Sequence, residues 1–339
     1  MRAFFRFPTM IFIAGSAAIV TGSVIGSSAF AAEISDPYAT RNISPFVQVY
    51  GLPATQGAAL TGWENFSGGM TLEAASNFTT SKKAAESIFI DGETYRATLR
   101  WRYGASDRLE LGLDVPYVSH QAGRMDDFIE SWHSLWGLPN GGREKYSQDK
   151  LSYRYSENGQ VLADVSSNGD GLGDISLSVG YQLSASEVRH WALRGGVKLP
   201  TGDADSLRGS DSTDVYAGLN FSDHSLANSG LSFHASMGGL WMDEGEVLND
   251  IREDWVLYGS GTVSWSLSPN VSLKAQVDAH SAFYQSELKE LGSHSAQLII
   301  GGAIRLSEQI TLDLSVSEDI AVDTAPDAVF QIGLNVAEW

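Results

Sequence analysis

The residues whose types and spacing could do chemistry are few, and most lie in one stretch. His120, Asp126, Asp127, Glu130 and His133 gather imidazoles and carboxylates that could hold a metal ion or carry out general acid–base catalysis. Glu130 and His133 stand three apart, which puts both on one face of a helix, a spacing used in metal-binding bundles. A plainer reading exists for each. Asp126 can cap a helix, Asp127 and Glu130 complement its dipole, and a late histidine bonds its last carbonyls. A second constellation is Asn168, Asp170 and Asp174, in Asn168-Gly169-Asp170-Gly171-Leu172-Gly173-Asp174, with oxygen ligands at the alternate spacing of calcium loops. Val179 stands where such a loop has its distal bidentate glutamate, and Asp-Gly is also ordinary turn chemistry ahead of a strand. No serine sits in a nucleophile motif. The absence of cysteine excludes thiolate metal sites and a disulfide scaffold.

A third set of charges belongs to a pattern. Over 94–103, Tyr95, Ala97, Leu99, Trp101 and Tyr103 alternate with Thr94, Arg96, Thr98, Arg100 and Arg102. After Gly104-Ala105-Ser106-Asp107 the alternation resumes: Leu109, Leu111, Leu113, Val115 and Tyr117 against Arg108, Glu110, Gly112 and Asp114. This is the period of strands with one apolar and one polar face. Charges of opposite sign on adjacent strands can pair across the hairpin. A wet lumen with lipid outside fits this arrangement, so the expected fold is all-β, a transmembrane antiparallel β-barrel. The lumen-lining residues are then Arg96, Arg100, Arg102, Glu110, Asp114, Arg194, Lys198, Lys274, Asp278 and Arg305. They could border an aqueous path or form a closed network of ion pairs.

The elements that must position these residues follow from the rest of the chain. Arg2 and Arg6, an apolar stretch from Phe7, and Ala29-Phe30-Ala31 read as a signal peptide over 1–31. Removal of Arg2 and Arg6 with it takes the formal charge from −19 to about −21, which, with no basic patch, argues against nucleic acid as a partner. Residues 32–63 carry turn signals at Asp36-Pro37, Ser44-Pro45 and Leu52-Pro53, and read as a periplasmic lead-in or a plug entering the barrel. The barrel itself is expected over 64–339. About twelve strands are read, at 64–79, 88–103, 109–117, 173–183, 191–199, 214–222, 231–241, 255–267, 271–283, 295–306, 310–318 and 328–336. Their connections alternate between short turns and long polar loops, as in bacterial barrels with both termini in the periplasm. Tyr103, Tyr117, Trp191, Phe221, Trp241, Trp255, Trp265 and Phe283 lie near strand ends, where interfacial girdles belong. Residues 118–172 form one long outer loop. Within it Phe128, Ile129, Trp132, Leu135 and Trp136 make a helical stripe, which predicts a short amphipathic helix ended by Gly137 and Pro139. Trp339 is a C-terminal aromatic of the kind read by the barrel-assembly machinery. It is out of phase with Phe330, Ile332, Leu334 and Val336 unless a bulge falls near Ala337. The outer loops are acidic, and contact with anionic lipopolysaccharide would then call for bridging Ca²⁺ or Mg²⁺; beyond that no cofactor is implied.

Several stretches together resemble a family of Gram-negative outer-membrane proteins catalogued as domain-of-unknown-function family 3187. They are Arg41-Asn42-Ile43-Ser44-Pro45 with Gly51-Leu52-Pro53, then Asp91-Gly92-Glu93-Thr94-Tyr95-Arg96, then Asp126-Asp127-Phe128-Ile129-Glu130-Ser131-Trp132-His133 with Gly137-Leu138-Pro139 and Gly142-Arg143, and Gly171-Leu172-Gly173-Asp174. The resemblance implies a barrel in the cell outer membrane, among its lipids and lipopolysaccharide, and carries over no catalytic residue. Three function classes are consistent with the chain: a porin-like channel for small solutes, a closed structural or recognition barrel, and an outer-membrane enzyme acting on lipid through His120, Glu130 or His133.

Overall fold

The computed structural model describes residues 34–123, 125, 150–321 and 324–339. The predicted helix of the long loop, with Glu130 and His133, lies outside them. Fifteen strands form: β1 (Phe66–Lys83), β2 (Glu86–Ser106), β3 (Leu109–Gln121), β4 (Ser152–Glu157), β5 (Gln160–Val165), β6 (Gly169–Leu172), β7 (Ser176–Ala185), β8 (Arg189–Lys198), β9 (Asp214–Asp223), β10 (Leu231–Met242), β11 (Trp255–Ser268), β12 (Val271–His280), β13 (Ser295–Arg305), β14 (Ile310–Ala321) and β15 (Ala328–Val336). Twelve of them, all except β4, β5 and β6, pair antiparallel in chain order, and β15 returns to β1 to close the barrel. Among the described residues helix is confined to Ile34 and Ser35, a single α-turn at Lys289–Gly292 and two 3₁₀ turns.

Parity along the strands separates two faces. Leu99, Trp101, Leu111, Leu177, Val179, Leu193, Val215, Leu257, Val263, Leu273, Ile300 and Ile332 point outward and are exposed, while Arg96, Arg102, Glu110, Lys198, Lys274 and Asp313 point inward and are buried. An exposed apolar belt around a polar interior is the inverse of a water-soluble protein and is what a hydrocarbon solvent selects. Closure leaves the barrel wall itself without an unpaired edge.

The long-loop end is more structured than the sequence shows. β1 and β2 extend as a hairpin to the pair Lys83–Glu86. The overhang of β2 pairs with β4, and β4 with β5, giving a small sheet above the barrel. Residues 118–172 are therefore not simply a loop. Tyr153, Tyr155 and Val165 of this sheet join Leu207, Val247, Leu248, Phe283, Tyr284, Leu288 and Leu291 from the other outer loops in one buried apolar cluster that caps the barrel. At the short-turn end, Gly68 faces Val336 in the β1–β15 ladder, yet Phe66 exchanges both backbone bonds with Trp339, one residue beyond that register. The extra residue turns Trp339 outward onto the Phe66 ring, at a centroid distance of 6.2 Å.

Candidate functional site in the barrel lumen

The lumen is occupied by the chain's own N-terminal segment. Residues 34–62 rise from the short-turn end, reverse near the long-loop end, and descend to β1. The ascending limb tracks β12. Tyr38 N–H donates to Gln276 Oε1 (3.0 Å), Thr40 Oγ1 donates to Asp278 Oδ2 (2.5 Å), and Asn42 Nδ2 lies 2.9 Å from His280 Nε2. The descending limb tracks β9, β7 and β3. Gly51 N–H donates to Asp214 (2.7 Å), Ala58 N–H to Ser222 Oγ (2.9 Å) and Thr61 N–H to Glu110 (2.7 Å). The reversal carries the apolar residues Phe46, Val47, Val49 and Tyr50, all buried in the outer cap. There Tyr284 O–H donates to the Phe46 carbonyl (2.6 Å) and Tyr50 O–H to the Val247 carbonyl (2.9 Å). The sequence accounts for this path. Prolines 37, 45 and 53 remove backbone donors and favour extended or turning chain over ladder pairing. A cavity of about 40 Å³ remains between the limbs, bordered by Arg41, Thr55, Arg194, Tyr216, Asn220 and Asp278. It has room for a few waters at most.

The wall charges are largely paired. Arg102 meets Asp114 at 2.6 Å, Arg194 meets Glu110 at 2.5 Å and Lys274 meets Asp313 at 2.8 Å. Lys198 lies between Asp174 (2.7 Å) and Asp214 (3.2 Å). Arg194 reaches Glu110 across β7 because the intervening wall residue is Gly180, where a Cβ would stand 3.2 Å from the guanidinium. Asp278 accepts from Thr40, Thr55 and Gln276. Arg100 donates to Asn335 (2.8 Å), Arg96 donates to Thr98 (3.3 Å), and Arg305 points inward on β13.

The other residues singled out by chemistry are dispersed. His120 is buried, with Nδ1 3.1 Å from Thr94 Oγ1 and Nε2 3.2 Å from the Leu207 carbonyl, so both ring nitrogens are engaged. Asp170 is exposed and bonded to Tyr117 on the outer face, whereas Asp174 faces the lumen; Asn168 is exposed. Asp174 is a loop anchor. Besides Lys198 it accepts the backbone N–H of Thr201 (3.0 Å), Gly202 (2.7 Å) and Ser210 (3.1 Å), folding residues 199–213 over the barrel mouth. Sequence reasoning did not find Asp214, Arg41 or Glu73. The inward parity of 214 and 73 on their strands is the signal that could have marked the two acids, whereas Arg41 lies on the plug and has no strand parity to read.

Among solved structures, the chain is similar to an outer-membrane channel from Pseudomonas putida F1, with 14% identity, a TM-score of 0.53, and coverage of 85% of this chain and 100% of that one. A second similar structure is the NanC porin, at 8% identity and a TM-score of 0.45, covering 79% of this chain and 98% of that one. The first likeness establishes an outer-membrane-type barrel fold. No curated protein sequence matches the chain. Residues 13–337 match the family described as protein of unknown function (DUF3187), and the chain belongs to that family.

Proposed function

We propose that the protein is a small-solute channel of the outer membrane whose resting state is closed by its own N-terminal hairpin. The observation that carries this reading is how residues 34–62 are held. Among the described residues none of them takes part in a strand ladder, and they meet the wall through side-chain and backbone hydrogen bonds to the lumen face. Such contacts can exchange with water while the wall stays zipped. The similarity in fold to an outer-membrane channel from Pseudomonas putida F1 favours the same reading. The exposed apolar belt supports residence among outer-membrane lipids and lipopolysaccharide, and Trp339 just beyond the last strand supports delivery by the barrel-assembly machinery.

The buried outer cap favours a second reading, a permanently closed structural barrel. Planar-bilayer conductance separates the two. The full-length protein is expected to be closed with brief openings, and a variant lacking residues 34–60 to conduct steadily. A deletion variant that folds, migrating as a heat-modifiable barrel, and yet stays silent would leave the structural reading standing.

A further inference from the structure

We propose that the lumen contains an anion-binding node at mid-height, built from Arg41 of the plug and Arg96 and Arg100 of β2, that takes small oxyanions such as carboxylates and sulfate. As a selectivity element the node rests on the channel reading; as a binding site it does not.

The argument begins from the charges that remain once the close ion pairs are set aside. Arg102, Arg194, Lys198 and Lys274 each have a carboxylate within 3.2 Å. Arg41, Arg96 and Arg100 do not: among the described residues no carboxylate lies within ion-pair distance of any of them. Their hydrogen bonds go to neutral groups. Arg96 Nε donates to Thr98 Oγ1 (3.3 Å), Arg100 Nη2 to Asn335 Oδ1 (2.8 Å) and Arg41 Nη1 to the Leu52 carbonyl (3.0 Å). Arg96 is only 6% exposed.

Among the described residues, Glu73 is the carboxylate that faces all three guanidinium groups without a closer cation of its own. It is buried and stands opposite Arg96 in the β1–β2 ladder, within electrostatic reach of Arg96, Arg41 and Arg100 but hydrogen-bonded to none of them. Asp114 also faces all three, Asp174 faces Arg96 and Asp313 faces Arg100, but Arg102, Lys198 and Lys274 hold these carboxylates. Arg100 is opposite Asp114 in the β2–β3 ladder, and Arg102 takes the Asp114 oxygen at 2.6 Å.

With Asp114, Asp174 and Asp313 counted against Arg102, Lys198 and Lys274, three guanidinium groups against Glu73 leave the node with an excess of positive charge in a poorly hydrated interior. Buried charge without a partner is costly, and an anion would relieve that cost. Guanidinium presents a planar fork of donors that matches carboxylate and sulfate oxygens, and rings of Arg or Lys select anions in pores. Arg41 also borders the cavity between the limbs, so the node has a small void on its plug side. A solute larger than that void would meet Arg96 and Arg100 only after the limb bearing Arg41 moved aside.

The test uses the folded full-length protein in detergent, titrated calorimetrically with sodium sulfate and sodium acetate at constant ionic strength. Saturable binding is expected. Arg96→Gln and Arg100→Gln are expected to weaken it by at least about tenfold, the loss typical of removing one charged hydrogen-bond partner. Arg96→Lys should retain most of it, and Glu73→Gln should strengthen it. Heat-modifiable migration checks that each variant folds. No saturable binding in the wild type, or wild-type binding in both Gln variants, would overturn the node. The reversal potential in a salt gradient of the conducting deletion variant, which lacks Arg41, then reports on the selectivity given by the two wall members, and Arg96→Gln with Arg100→Gln should move it towards cations. Sulfate binding in a protein that never conducts would keep the node and remove the channel.

Discussion

At the scale of single residues, the lumen shows how far parity can be read and where it stops. The inward position of Arg102, Glu110, Arg194 and Lys198 follows from alternation alone. Their choice of partner does not. Asp114 sits opposite Arg100 but is held by Arg102, and Glu110 finds Arg194 two strands away over Gly180. These choices depend on strand neighbours and on a missing side chain, neither of which a local pattern records. Lys198 is the sharpest case, 3% exposed and set between two carboxylates. Lys198→Met should cost about 3–5 kcal/mol, because it leaves buried charge unpaired, and should lower the urea midpoint of the refolded barrel. Acid should act at the mouth. The Asp203 carboxyl is held below the usual carboxylate range by the Ser206 hydroxyl and then by Arg208. A depressed folded-state value means the native loop binds fewer protons than the unfolded one, so its stabilisation is full above the ordinary carboxylate value and fades as pH falls through the folded value. Proteolytic nicking of residues 199–213 should therefore rise only in strong acid, and Asp203→Asn should flatten that dependence.

Among the elements, the plug was half legible. Its prolines exclude it from the wall, but nothing local says whether such a segment lies below the barrel or within it. That is decided by partners such as Gln276, Asp214 and Glu110, far away in sequence. The β4–β5 hairpin was not legible for a similar reason. It exists because β2 is longer than the barrel is tall, so its overhang offers a template that a six-residue segment can complete. Two measurements address the plug. Gly57 and Ser222 face each other, with a Cβ at 57 standing 3.6 Å from Ser222 Oγ, and the chain has no cysteine to interfere. The oxidised Gly57→Cys, Ser222→Cys variant should lose the brief openings of the wild type, and reductant should restore them. Tyr284→Phe strands the Phe46 carbonyl in the buried cap, at a cost of about 1–3 kcal/mol. It should raise the frequency of openings in the same bilayer assay.

For the whole molecule, the strand number, the two faces and the phase of long and short connections were all readable, because each repeats twelve times and errors in one strand are corrected by its neighbours. The node of Arg41, Arg96 and Arg100 was not, since one member lies on the plug and two on the wall. The arrangement also sets an order of events. The partners of residues 34–62 are spread from β3 through β7, β9 and β12 to the cap, so no partial barrel holds them all. Gly62 and Asn65 are tied to Glu338, next to the last residue of the chain. The hairpin of residues 34–62 can therefore be housed only after the strand ahead of Glu338 has closed the wall. Until then it must travel as an unfolded leader with its apolar tip uncovered, and its seating is the step that completes maturation.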